Sequence, residues 1–333
     1  MTGAYDDVPF GVTDPDGPSI AGGRMLGRSQ LADLPPVRPL VADVLSRPSA
    51  AVLVGGYGTG KTFLALGLAA CVATGQPWLG HDVEPGRVLY VCGEGAYGID
   101  TRLTAWERTW QHGRPIPDDR LTILAKPVSL TSPTFWWEVT AAAVEGGYLL
   151  VILDTLSSLA PDADEVKQAP TLMRQLSDLA VAIDGAAMLV HHPGWSDATR
   201  VRGAYAFEAN ADEVLVLAPV AEGSDVLTLL RKKVKEGPSG ATLYLRRVAR
   251  HAACVIEHAR PDDAGVPMRD RVLALLTAYD DVGATGPQLA AACGVGDGDR
   301  SALYRALRQL RDDQLIWAEG KRGRERYYIG EQP

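Results

Sequence analysis

One segment of eight residues constrains the fold of this chain more than any other feature. The segment GGYGTGKT, at residues 55–62, satisfies the pattern G-x-x-x-x-G-K-[ST] at every position. It follows the apolar run AVLV and precedes TFLALGLAACVATG, which has helical apolar spacing and ends at Gly75. A glycine-rich loop between a strand and a helix turns its N–H groups around phosphate oxygens, and the helix dipole adds positive charge. The sequence therefore predicts a phosphate-binding loop rather than a glycine turn that fits by chance.

The residues of this loop predict both cofactors. We expect Lys61 to reach the β and γ phosphates of ATP and Thr62 to bind Mg²⁺. The predicted nucleotide-binding residues are Gly55, Gly56, Tyr57, Gly58, Thr59, Gly60, Lys61, Thr62 and Phe63.

Polar residues follow three further apolar runs. Asp154 ends VILD, where its carboxylate is placed to hold Mg²⁺, although an aspartate there is often only a strand end. Glu94, in VCGEG, is the candidate base that activates water, and its alternative is a solvated loop residue. His191 and His192 end AAMLVHH, and one of them is the candidate sensor of the γ-phosphate unless both are structural. The carboxyl ends of parallel strands share one sheet edge, so we expect these groups to lie together.

The order of apolar runs predicts an α/β fold. Runs typical of strands alternate with helical patterns up to about residue 258, which favours a mainly parallel sheet covered on both faces. After the linker ARPDDAGVP, three short amphipathic helices, a strand, a basic turn and a strand match the winged helix-turn-helix pattern. The predicted divisions are a flexible tail at 1–28, an ATPase domain at 29–258, a linker at 259–268 and a winged helix-turn-helix domain at 269–333.

Composition narrows the function classes. No apolar run approaches the roughly 20 residues that a membrane span requires, and the first residues show no secretory leader. The four cysteines form no CxxC pair, so we expect reduced thiols without a metal in a cytoplasmic protein of a bacterium or a phage-infected host. The net charge of −8 argues against a surface that coats DNA, but it permits a local basic module.

The ordered set of motifs resembles one family. The segments ATGQPWLGHDVEPGRVLYVCGEGAYGIDTRLTAWE, LVILDTLSSLAPDADE, LVHHPG, RGAYAFEANADEVLVL and RKKVKEGPSG, together with GGYGTGKT, are similar to the RepA-like branch of RecA-type ATPases. That branch includes hexameric replicative helicases of plasmids and AAA-family ATPases of phages and prophages. The resemblance covers residues 31–250 and implies a RecA-like core in a ring, usually of six subunits, with ATP bound between subunits.

The resemblance also implies residue roles. It makes Glu94 the catalytic glutamate, Asp154 the Walker B acid and His191 or His192 the phosphate sensor. Lys233 and Lys235 match a basic pair that reaches into the neighbouring subunit's site, with a solvated strand end as the alternative. Some relatives carry arginine at these two positions. Lysine offers a point charge in place of the bidentate contact that arginine makes with a phosphate. Glu208 stands where many relatives carry a basic residue.

Two regions are candidates for DNA contact. Arg200 and Arg202 lie in a loop that the resemblance places in the ring channel, unless they order a subunit interface. The acidic segment 161–165 would repel phosphates and is not assigned to DNA.

Residues 300–326 hold eight basic and four acidic residues, an excess of four positive charges. A basic surface of this kind favours nucleic acid, although winged helices also dock proteins. Its predicted DNA-contacting residues are Arg305, Lys321, Arg322, Arg324 and Arg326.

These observations favour a ring-forming, ATP-hydrolysing DNA motor, a RepA-like replicative helicase of a phage, plasmid or prophage. Its expected partners are single-stranded DNA in the channel, duplex DNA on the winged helix, five further copies of itself, and primase or other replication proteins. The alternative is a DNA-binding RecA-like ATPase without unwinding activity, such as a helicase loader, recombination mediator or regulator. A small-molecule kinase is a third reading, but the sequence shows no evident lid or substrate pocket.

Overall fold

The computed structural model describes residues 19–20, 23–33, 37–93, 95–126, 128–192, 204–220, 223–235, 242–259, 267–279, 283–293, 295, 300–321 and 324–330, and the statements below refer to them. The strands of the larger region are β1 (Ser19–Ile20), β2 (Gly23–Arg24), β3 (Arg38–Val41), β4 (Leu45–Arg47), β5 (Ser49–Gly55), β6 (Arg87–Cys92), β7 (Leu121–Leu124), β8 (Tyr148–Asp154), β9 (Ala186–His191), β10 (Glu213–Pro219), β11 (Val226–Val234), β12 (Thr242–Arg250) and β13 (Ala253–His258). Its helices are α1 (Lys61–Thr74), α2 (Ile99–Trp110), α3 (Pro133–Glu145), α4 (Leu156–Leu159), α5 (Glu165–Ala182) and α6 (Ala204–Asn210), with 3₁₀ turns at Gln30–Asp33 and Ala96–Gly98.

One large sheet positions the sequence motifs. Its strand order is β13-β12-β11-β10-β5-β9-β8-β6-β7. Strands β10, β5, β9, β8, β6 and β7 run parallel, and β11, β12 and β13 extend the sheet by antiparallel pairing. The predicted α/β class with a mainly parallel sheet is confirmed.

Both faces of this sheet are covered. Strand β5 is buried along its whole length, as expected of a parallel strand between two helical layers. Successive residues point to opposite faces. Leu53 therefore packs into the cluster that contains Leu64 and Trp106 of α1 and α2. Val52 joins the opposite cluster, which contains Leu176 of α5 and residues of α3.

The helix ends follow their sequence signals. Helix α1 stops at Gly75, whose left-handed φ of 74° lets its N–H bond to the carbonyl of Cys71. Asp164 caps α5 by accepting a hydrogen bond from the N–H of Lys167. The helix therefore begins at Glu165, the last residue of the acidic segment 161–165.

Neither helix α3 nor strand β13 was named in the sequence analysis. Helix α3 lies between β7 and β8, and the sequence carried its start signals, Ser132 at the N-cap and Pro133 at the first position. Strand β13 pairs with β12 and covers the first turns of α1, although its six residues border a segment rich in proline and aspartate. Ala259 still bonds to the carbonyl of Tyr244, so the core extends to this residue.

The C-terminal region forms its own small core. It contains the expected three helices, α7 (Met268–Tyr279), α8 (Gly286–Ala292) and α9 (Ser301–Asp312), and the strands β14 (Ala284–Thr285), β15 (Ile316–Glu319) and β16 (Arg326–Ile329). The strands form a sheet in the order β14-β16-β15. A capping box of Thr285 and Gln288 starts α8. Among the described residues of the whole chain, no helix has the length and apolar character needed to cross a bilayer.

Candidate nucleotide-binding site

The loop between β5 and α1 has the backbone of an anion cradle. Gly58 and Gly60 adopt left-handed φ values of 72° and 99°, which glycine accepts without strain. A Cβ on Gly55 would lie 2.6 Å from the carbonyl oxygen of Leu217, so a side chain is excluded there as well. Three of the four glycines of the motif, Gly55, Gly58 and Gly60, thus follow from the backbone path.

Lys61 opens α1 directly behind this loop. Its side chain is buried, and Nζ donates to the carbonyl oxygen of Gly56 at 2.8 Å. Nζ also lies 2.9 Å from Nδ1 of His192, which must accept because an ammonium group only donates. Thr62 and Phe63 follow in the first turn of α1, and Tyr57 is almost fully exposed at the tip of the loop. The positive charge is therefore held at the mouth of the cradle.

The two adjacent histidines occupy different environments. His192 faces the loop, with its ring 6.1 Å from that of Tyr57. His191 is 1% exposed and packs 5.2 Å from the ring of Phe207 on α6. Its Nε2 lies 3.7 Å from the Glu165 carboxylate, at the start of α5. Because neighbouring strand residues point to opposite sides, the structure brings His192, and not His191, to the loop.

Burial controls the charge of His191. Desolvation lowers its pKa from 6.5 to about 4, and the nearby His192 and Lys61 add to this effect. The Glu165 carboxylate would favour the protonated form, but its own pKa is raised by burial. The His191 ring is therefore neutral at pH 7.

Asp154 lies at the same sheet edge. It ends β8, is 3% exposed, and its Oδ2 accepts a hydrogen bond of 2.5 Å from the hydroxyl of Tyr90 on β6. The N–H of Gly93 bonds to the backbone carbonyl of Asp154 at 2.7 Å and joins the ends of β6 and β8. Glu94, the next residue, lies outside the described residues.

The strand order explains why these groups converge. Strand β9 lies between β5 and β8, and β6 flanks β8 on its other side. The carboxyl ends of parallel strands meet at one edge, where ligands of open α/β sheets bind. The loop, His192 and Asp154 therefore lie at one edge of the sheet, while His191 faces Phe207 and Glu165.

The predicted basic pair, Lys233 and Lys235, contacts residues of its own chain. Lys233 donates to two carbonyl oxygens in the last turn of α6, at 2.9 and 3.0 Å. Lys235 forms an ion pair with Asp212 at 3.0 Å. Glu208, which departs from the family pattern, pairs with Lys232 at 2.8 Å. This cluster ties the end of β11 to α6, the helix that also carries Phe207.

Three residues near the site were missed by the sequence analysis. Tyr90 bonds Asp154, as described above. Arg247 on β12 donates to the carbonyl of Gly58 at 2.9 Å, and Asp225 orients its guanidinium at the same distance. Arg102 on α2 stacks 5.1 Å from the centre of the Phe63 ring. No local pattern marks these residues, because each contact joins distant parts of the chain.

A cavity adjoins the first turns of α1. Its volume is about 330 Å³, and α1, α2 and β13 form its walls. Its lining includes Arg102 and the aromatic residues Phe63, Trp78, Trp106 and Trp110.

The C-terminal region exposes a basic helix face. Helix α9 buries Leu303, Ala306, Leu307 and Leu310 and exposes the opposite side. The exposed side includes Ser301, Tyr304, Arg305, Arg308 and Arg311.

The predicted basic turn lies between β15 and β16, and Lys321 and Arg324 are exposed there. Arg326 lies within β16 and donates to the carbonyl of Gly283 at 3.1 Å. The other predicted contacts, Arg200, Arg202 and Arg322, lie outside the described residues.

One known protein family matches this chain. A family model described as "AAA domain" matches residues 25–198, just over half of the chain. No curated protein matches the chain.

Three solved structures are similar to this chain. A KaiC-like protein from the hyperthermophilic archaeon Pyrococcus horikoshii OT3 shares 16% identity at a TM-score of 0.48, over 65% of this chain and 93% of that one. A DnaB-like replicative helicase shares 17% identity at a TM-score of 0.48, over 63% of this chain and 57% of that one. The RadB recombinase shares 14% identity at a TM-score of 0.46, over 64% of this chain and 91% of that one.

Proposed function

The chain belongs to the AAA domain family, and from this premise we propose that it is a ring-forming, ATP-hydrolysing DNA motor of the RecA-like type. The specific role we propose is that of a RepA-like replicative helicase of a phage, plasmid or prophage. One observation carries the ATPase part: the cradle with Lys61, His192 and Asp154 lines one edge of the sheet. Family membership supports ATPase activity, and the basic C-terminal helix face supports contact with DNA.

The residues of the edge fit a triphosphate and a divalent cation. The glycines keep Cβ atoms out of the cradle, and the Lys61 ammonium is held at its mouth. Thr62 and Asp154 would hold Mg²⁺, which supplies positive charge against the phosphates. Lys61 binds the terminal phosphates, and Glu94 takes a proton from the attacking water. His192, bonded to Lys61, is placed to respond when the γ-phosphate leaves.

The neighbouring subunit would complete the site through Lys233 and Lys235. In the single chain both lysines already have oxygen acceptors. A role across the interface therefore requires each ammonium to exchange these contacts for phosphate oxygens. The contacts of Lys233 and Lys235 within the chain are the observation that favours the alternative function, a DNA-binding ATPase without unwinding activity.

The C-terminal region would act as the duplex-binding module. We propose that its three helices and three-stranded sheet act as a winged helix, with α9 as the recognition helix and the turn before β16 as the wing. The exposed side of α9 and the turn supply phosphate contacts. Arg200 and Arg202 would contact single-stranded DNA in the channel. The proposed setting is the bacterial cytoplasm, with primase or other replication proteins as partners.

Unwinding of a forked DNA substrate tests the motor function. The wild type should separate the strands in the presence of ATP and Mg²⁺, and the Lys61→Ala variant should not. Hydrolysis that single-stranded DNA stimulates without strand separation would favour the alternative function. An ATP hydrolysis rate that no nucleic acid changes would contradict both the motor function and the alternative function. Particle size with and without ATP and single-stranded DNA tests the ring.

A charge-matched pair of variants tests the C-terminal surface. Replacing Arg305 and Arg308 with glutamine removes two cations from the exposed side of α9. We expect weaker duplex binding and a salt-dependence slope reduced by about 2, one for each phosphate contact. The control replaces Arg120 and Arg174, which are exposed on the ATPase core, and should leave duplex affinity unchanged. Equal effects of both pairs would mean that only the net charge matters.

A further inference from the structure

We propose that Tyr90 is a positioning residue that orients the Asp154 carboxylate toward Mg²⁺ and thereby sets the metal dependence of nucleotide binding. This inference rests on the proposed function, because it assumes that the chain binds Mg²⁺ with ATP. It concerns a side chain that neither the phosphate-loop motif nor the strand-end acid includes.

The sheet register explains the contact between the two residues. Cys92 is the direct neighbour of Asp154, and Tyr90 is the neighbour of Ile152. Two residues along a strand span about 6.6 Å, which is the reach of a tyrosine side chain laid along the sheet. The hydroxyl of Tyr90 therefore arrives at Oδ2 of Asp154, at 2.5 Å. A phenylalanine at this position fills the same space but offers no donor.

The surroundings make Tyr90 a permanent donor. It is among the largest fully buried side chains of the described residues. A tyrosine hydroxyl is protonated near neutral pH, and an ionised carboxylate can only accept, so Tyr90 donates in this hydrogen bond.

A carboxylate without such a donor has two disadvantages as a metal-binding group. The terminal torsion of aspartate is broad, so its oxygens are not fixed by rotamer preference alone. A hydrogen bond from the phenol fixes this torsion and stabilises the ionised form. Asp154 therefore presents the same orientation before Mg²⁺ arrives.

The test measures binding of a fluorescent, non-hydrolysable ATP analogue to the full chain, with and without Mg²⁺. For Tyr90→Phe we expect the gain in affinity due to Mg²⁺ to fall roughly tenfold, the worth of a charge-assisted hydrogen bond at the lower end of its range. Affinity without metal should stay at the wild-type value, because the cradle and Lys61 are untouched.

The control is Tyr148→Phe. Tyr148 is another buried tyrosine of the same sheet, and its hydroxyl bonds to Thr122 at 2.8 Å, at the opposite end of β8. Its removal deletes a hydroxyl of the same kind away from the site. We expect unchanged metal dependence.

A double-variant cycle separates positioning from a general structural effect. In an Asp154→Asn background, Tyr90→Phe should cause no further change in metal dependence, since the charged acceptor is already gone. Additive effects, or a tenfold loss of affinity without metal, would overturn the positioning role. Unchanged metal dependence in a folded Tyr90→Phe protein would overturn it too. A wild type that binds the analogue equally well with and without Mg²⁺ would instead count against the proposed function.

Discussion

Acidification should destabilise the core through one buried histidine, His191. Its pKa is about 4 in the folded protein, against 6.5 for a solvated histidine. Between these values the unfolded chain binds a proton that the folded chain does not, so stability falls as pH falls. From pH 7 to pH 5 this difference amounts to about 2 kcal/mol, and the loss is complete below about pH 4.

The size of this loss of stability depends on which neighbouring group sets the pKa of the His191 ring. Burial, His192 and Lys61 all lower its pKa. Glu165, 3.7 Å away, is the group that would reverse the sign if it formed an ion pair with a protonated ring. Since the pKa of Glu165 is itself raised by burial, it gives up its charge more readily on acidification than a solvated glutamate.

Denaturant unfolding at pH 7 and pH 5, followed by tryptophan fluorescence, measures the effect. The wild type should lose about 2 kcal/mol more than a His191→Leu variant over this interval, because the variant lacks the titrating ring while Glu165 titrates in both. The control is His112→Asn, an exposed histidine with a φ of 54° that asparagine tolerates. It should lose as much as the wild type. Equal losses in the wild type and His191→Leu would refute a neutral His191 and indicate an ion pair with Glu165.

Further predictions concern the candidate nucleotide-binding site at the edge of the sheet. Lys61→Ala should abolish ATP hydrolysis, measured as phosphate release, since its ammonium is the group that we expect to bind the terminal phosphates. Glu94→Gln should stop turnover while a fluorescent ATP analogue still binds, and normal turnover would exclude Glu94 as the base. Arg247→Ala should weaken ATP binding several-fold, because the carbonyl of Gly58 loses a charged donor. Arg250→Ala, which removes only the exposed pair of Arg250 with Glu257, should leave ATP affinity unchanged.

Patterns of contiguous residues were sufficient to predict the phosphate loop, the parallel strands and the polar residues at the strand ends. The pattern GGYGTGKT, with its flanking strand and helix, predicted the loop, because phosphate binding needs a short glycine path ahead of a helix N-terminus. Apolar runs predicted the parallel strands, since strands buried on both faces carry few polar residues. The same reasoning placed Asp154 and the histidine pair at strand ends.

Tertiary structure decided which side chains meet. The sequence could not distinguish His191 from His192, because that choice depends on which face of β9 points at the loop. It also gave no sign of Tyr90 beside Asp154 or of Arg247 behind Gly58, contacts that join positions 64 and 189 residues apart. The reason is physical: periodicity reports whether a strand is buried, but the order of strands in the sheet follows from packing of the whole chain. Here the insertion of β9 between β5 and β8 sets the edge on which Lys61, His192 and Asp154 meet.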